Sequence, residues 1–136
     1  MTEPAIHNAL EQVLAEVQAG RQPPSQLFEA LYAAEVYVFV DEDLAPEGRW
    51  RETTTLMILN GPSGEPAVGV FTAPERTVGW PERAGEYRHG LRVAFRWLVA
   101  NLMDGVGVAL NPDSELGVEL PPDLVRKLRE SARRLQ

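Results

Sequence analysis

The sequence predicts an α/β (α+β) fold: a mixed sheet of about five strands with two N-terminal helices, a crossover helix and a C-terminal helix packed on it. Three observations carry this. Two stretches near the N-terminus repeat apolar residues at helical spacing, and the uninterrupted run Val36-Tyr37-Val38-Phe39-Val40 has the texture of a strand buried on both faces. Further on, short apolar segments bounded by glycine and proline flank one more helical pattern, as a parallel crossover requires.

In chain order, Ile6, Ala9, Leu10, Val13, Leu14 and Val17 form the first apolar stripe, which Gly20 ends. Pro23-Pro24 breaks the chain, and Ser25 is positioned to cap a shorter helix through Leu27, Phe28, Leu31 and Tyr32. After the Val36 run stops in Asp41-Glu42-Asp43, residues 53–59 and 66–71 read as strands joined across Asn60-Gly61-Pro62-Ser63-Gly64, a hairpin. Leu91, Ala94, Phe95, Leu98, Val99 and Leu102 predict the crossover helix, with Arg88, Arg92 and Arg96 as a separate stripe at i+4 spacing. Residues 106–110 and 116–120 are the remaining strands, and Pro121-Pro122 opens a terminal helix whose Leu124, Leu128, Ala132 and Leu135 face inward.

The chain has 136 residues, 44% apolar and 24% charged, which predicts a folded globular unit over residues 1–136 with no second domain. Its formal charge of −7 disfavours a nucleic-acid partner. The C-terminal cluster Arg126, Lys127, Arg129, Arg133 and Arg134 fits instead the negative end of a helix dipole. With no cysteine, disulfides, zinc–thiolate sites and thiol catalysis are excluded. Neither a leader-like N-terminus nor an apolar run of membrane-spanning length is present, so the expectation is a cytoplasmic protein without a membrane partner.

His7 and His89 have no metal-ligand spacing. Asp41, Glu42 and Asp43 do not continue into a calcium loop, because Ala45 and Pro46 fall where a ligand and the glycine belong. Gly61, Gly64 and Gly69 lack the lysine of a phosphate loop, and Ser63 and Ser114 lack a nucleophile-elbow context. The expectation is therefore no enzyme, no cofactor and no metal. What remains is a set of polar residues where strands stop: Thr72, Glu75, Arg76 and Trp80 after one strand, Asn111, Asp113 and Ser114 after another, the two groups sharing one rim. Either they bind a partner, or Thr72 caps a turn, Asn111-Pro112-Asp113-Ser114 is a β-turn and Trp80 plugs the edge of the core.

The segments Val70-Phe71-Thr72 with Glu75-Arg76 and Trp80, followed by Leu110-Asn111-Pro112-Asp113-Ser114, resemble the N-terminal domain of the SseB family from about Ile6 to Leu128. That family is named for enhanced serine sensitivity in bacteria. The resemblance implies a bacterial α/β domain with no established catalytic residues, whose relatives often carry a second domain. The functional expectation is an interaction domain that binds a protein partner or itself through strand-end loops. The alternative is a sensor of an amino acid or another carboxylate metabolite, with Arg76 on the carboxylate and Asp113 on the ammonium. A hydrolase or transferase using Glu75 or Asp113 as general base ranks last.

Overall fold

The computed structural model describes residues 6–41, 55–60 and 64–134. Helix α1 (Ala9–Gln18) starts at Asn8, whose side chain accepts a hydrogen bond from the Glu11 N–H, and Gly20, at φ 77°, follows its end. Helix α2 (Pro24–Tyr32) begins with proline in its first turn and lacks a side-chain cap, so Ser25 lies inside the helix rather than capping it. Leu10 and Leu14 of α1 and Leu27 and Leu31 of α2 are buried as the periodicity predicts, with Val13 and Val17 half-buried, whereas Ile6 and Ala9 of the predicted stripe are exposed.

Strand β1 (Glu35–Val40) buries Val36, Val38 and Val40 under these helices and Phe39 on its opposite face. The hairpin expected between residues 53–59 and 66–71 is present as β2 (Ile58–Asn60) antiparallel to β3 (Pro66–Val70). Residues 42–43, 53–54 and 61–63 of the sequence reading, with Ala45, Pro46 and Leu135, lie outside the described residues. A short helix, α3 (Trp80–Arg83), lies between two 3₁₀ turns, Pro74–Thr77 and Gly85–Tyr87.

The predicted crossover helix is the main correction. Its first half is strand β4 (His89–Ala94), paired antiparallel with β1 from Glu35↔Ala94 to Val40↔His89, and only its second half is helix α4 (Phe95–Asn101). Leu91 and Val93 are half-buried while Gly90, Arg92 and Ala94 are exposed, a period of two that competes with the helical pattern through Leu91, Ala94, Phe95 and Leu98. The hydrogen bonds that β1 offers along its outer edge decide the contest. Arg92 is therefore on a strand surface rather than a helix stripe, Arg88 ends the turn before the strand, and His89 is half-buried in a strand rather than at a helix start.

Strand β5 (Gly107–Leu110) is parallel to β3, so α4 does complete the expected crossover, and β6 (Val118–Leu120) closes that sheet antiparallel to β5. The order is β2-β3-β5-β6, and mutual hydrogen bonds of 2.8 Å between Tyr37 and Phe71 join β1 to it. Among the described residues the strands number six, one more than the sequence estimate, and lie in two sheets, β1-β4 and the mixed β2-β3-β5-β6, rather than one. Helix α5 (Pro122–Arg134) packs Val125, Leu128 and Ala132 into the core, with Leu124 half-buried. Arg129 turns inward, donating to the Leu102 carbonyl at 2.7 Å and pairing with Asp104, so it ties α5 to the segment leaving α4.

All the helices except α3 cover one face of the β2-β3-β5-β6 sheet, where Val68, Val70, Val108, Leu110 and Leu120 are buried. On the opposite face Gly69 is covered by the Met57 and Leu59 side chains, and Ala109 is paired beside it. A second core caps one end of that face: Phe39, Met57, Phe71 and Trp80, with Phe71 edge-on to both Phe39 (5.3 Å) and Trp80 (5.4 Å).

Candidate functional site

The two strand ends singled out in the sequence do share a rim, because β3 and β5 are parallel neighbours and finish together. Past Leu110, the Asn111 N–H donates to the Val70 carbonyl at 2.7 Å, and past Phe71 the Thr72 N–H donates to Asn111 Oδ1 at 3.0 Å. Asn111 has φ 47°, a left-handed conformation that asparagine tolerates better than most residues. This turns its amide inward, where Nδ2 donates to Thr72 Oγ1 at 2.8 Å and to the Leu116 carbonyl at 3.0 Å. Gly117 is required by the same turn, since a Cβ there would come within 2.8 Å of the Asn111 carbonyl oxygen and 2.9 Å of that of Ser114.

Beneath this rim lies a carboxylate. Glu11 occupies the third position of α1, and its side chain has no exposed surface. Arg76 grips it with two bonds, Nε to Oε2 and Nη2 to Oε1, both 3.0 Å. Thr72 Oγ1 donates to Glu11 Oε2, and the His7 N–H donates to Oε1 at 3.0 Å. Asn8 Nδ2 closes the ring on the Thr72 carbonyl at 2.8 Å. Burial raises the Glu11 pKa, but the bonds from Arg76, Thr72 and the His7 N–H outweigh it and hold the carboxyl below its ordinary value. Among the described residues no buried side-chain nitrogen or oxygen lacks a partner.

Above the rim is an open groove of about 580 Å³. Ala109 lies in its floor, Leu59 and Trp80 form one side, and Gly117 and Glu119 the other. Trp80 is only 7% exposed, so it is chiefly the wall of the second core and only its edge reaches the groove. The Arg83 guanidinium stacks 4.0 Å above the Trp80 ring and pairs at 2.7 Å with Asp113. Both partners are more than half exposed, so the pair itself contributes little stability.

The seven residues named from sequence are thus divided. Thr72, Arg76 and Asn111 are drawn into the buried network, and Arg76 and Asp113 are already engaged by Glu11 and Arg83. Trp80, Asp113 and Ser114 border the groove, with Ser114 Oγ also accepting from the Leu116 N–H at 3.2 Å. Glu75 is exposed and lies 3.2 Å from His7. Glu11, Asn8 and Arg83 were missed. The Asn8-x-x-Glu11 spacing is a helix-start signature and could have marked the first two, whereas nothing local distinguishes Arg83 from other surface arginines.

The sequence pattern that defines the SseB protein N-terminal domain matches residues 10–127. The chain belongs to the SseB family. No curated protein and no solved structure matches it. In this SseB domain the two stretches that carry the family likeness, Phe71-Thr72 with Glu75-Arg76 and Leu110-Asn111-Pro112 with Ser114, are bonded to one another through Thr72 and Asn111. Among the described residues no helix is long and apolar enough to cross a membrane, and no three His, Asp or Glu side chains gather as a metal site.

Proposed function

We propose that this SseB domain is a non-enzymatic module of the bacterial cytoplasm that binds a protein partner, or a second copy of itself, in the groove beside Trp80. The observation that carries the reading is the groove: the small residues Ala109 and Gly117 in its lining, an aromatic wall, and an Arg83–Asp113 pair that offers directional bonds at its edge. The buried network supports it by fixing the loops on either side, so the groove is preorganised. Thr72, Arg76 and Asn111 act here by holding the surface and make no contact with the partner. Nucleic acid is a poor occupant for a chain of charge −7.

The test uses the exposed pair, because truncating Trp80 would open the second core. In a pull-down from bacterial lysate, Arg83→Glu/Asp113→Lys is expected to lose a protein that the wild type retains, or to lose self-association in sedimentation. Its stability should stay within about 0.5 kcal/mol of wild type. Equal retention and equal oligomeric state would end the reading.

One observation favours an amino-acid sensor as a second reading: the cavity has small-ligand size, and Arg83 with Asp113 offers both charges a zwitterion needs. Serine at 100 times its dissociation constant would then stabilise the domain by about 2.7 kcal/mol. No rise in melting temperature with serine or other amino acids would remove it.

A further inference from the structure

Strand β4 is an edge with an arginine-bearing face, and its hydrogen-bonding groups can be assigned from the bonds of its neighbour. The Phe95 N–H donates to the Ala34 carbonyl at 3.1 Å just beyond the first pair of the β1–β4 ladder, Glu35↔Ala94, which sets the phase of that ladder. Antiparallel pairs alternate, so Val36 with Val93, Val38 with Leu91 and Val40 with His89 are bonded pairs. Tyr37 and Phe39 confirm the phase by bonding the other way, Tyr37 to Phe71 and the Phe39 carbonyl to the Met57 N–H at 2.9 Å. Their partners on β4, Arg92 and Gly90, must therefore aim their N–H and C=O groups away from β1. Among the described residues nothing bonds to them, and β4 pairs with no strand but β1.

Along the same edge Gly90, Arg92 and Ala94 are exposed, with Arg88 exposed in the turn that leads into β4 and Arg96 exposed in α4. Arg92 pairs with Glu35 at 2.9 Å, both more than half exposed, and Arg88 and Arg96 have no ion pair among the described residues. In a chain with 20 acidic and 13 basic residues, this edge is locally basic. Two copies pairing β4 to β4 would bring arginines face to face, so self-pairing is opposed.

We infer that β4 accepts an acidic, extended segment of a partner protein as an added strand, its backbone bonding to Gly90 and Arg92 and its carboxylates meeting Arg88 and Arg92. Gly90 leaves room beside Arg92 for the incoming side chain. This surface is separate from the groove beside Trp80, and it stands or falls without it.

The probe is a synthetic heptapeptide alternating glutamate and valine, titrated into the full chain while backbone amide signals are followed by nuclear magnetic resonance. Saturable shifts are expected at Gly90 and Arg92. Arg88→Glu/Arg92→Glu should weaken binding at least about tenfold, and so should N-methylation of alternate peptide amides, which removes ladder bonds but keeps every charge. The lysine–valine counterpart should not bind. The inference is overturned if the N-methylated peptide binds as well as its parent, if the shifts centre on Ala109 and Gly117, or if no signal moves at millimolar peptide, in which case the arginines only guard the edge.

Discussion

Replacing Arg76 by alanine is expected to cost about 3–5 kcal/mol, because it leaves the fully buried Glu11 carboxylate without its bidentate partner, and replacing Glu11 by alanine should cost less, because the Arg76 side chain is 13% exposed. The Arg76 change is the more telling, since Arg76 is part of the family-like motif and would be the natural target in a search for binding residues. Its loss strands a carboxylate with no exposed surface at the start of α1 and removes two 3.0 Å bonds at once. The double variant should cost clearly less than the sum, since no buried carboxylate is then left behind. Urea unfolding of the four proteins measures this, and additive losses would show that the pair is not coupled. The same carboxylate sets an acid limb. With the Glu11 pKa held below the ordinary 4.5, the unfolded chain binds a proton that the folded chain refuses over the interval between the two values. The contribution is complete above about 4.5 and is lost as pH falls through the depressed value. Glu11→Gln should flatten that part of the stability profile. Glu16 and Asp41 are lowered too, but they lie at the surface and should flatten it less.

This network also shows where the sequence is legible. Local periodicity places α1, α2, β1 and α5, because each buries a face that repeats within a few residues. It fails at Leu91, where residues that fit a helix also fit a strand, and where the choice belongs to the unpaired edge of β1, more than fifty residues upstream. The rim could be read because apolar strands ending in polar turns mark it without any tertiary information. The roles within it could not. Arg76 reads as a donor awaiting a ligand unless Glu11, 65 positions earlier, is known to lie beneath it. Trp80 reads as an anchor until Phe71 and Phe39 are seen against it. A polar residue after a strand is equally at home facing a ligand or a helix N-terminus, and only the fold decides.

Asn111 should be the least replaceable residue of the rim. Alanine there removes the acceptor for the Thr72 N–H and the donor to the Leu116 carbonyl, both in a site where Asn111 itself is 1% exposed. Each group left unsatisfied costs about 1–3 kcal/mol. The left-handed conformation at φ 47° adds roughly 1 kcal/mol for a residue with a Cβ and no local hydrogen bond. Together these predict a loss of about 3 kcal/mol or more in Asn111→Ala. Asn111→Gly separates the two contributions: it accepts the backbone conformation but makes none of the side-chain bonds, so it should recover roughly 1 kcal/mol and no more. Asn111→Asp keeps the acceptor but loses the donor and sets a second carboxylate beside Thr72, which already serves Glu11. It should be the variant whose stability recovers most on acidification, since protonation then relieves the repulsion. If alanine and glycine at this position were equally stable, the strain would be absent. If both were close to wild type, the two strand ends would be held together by their backbones alone, and the groove above them would not depend on the network below.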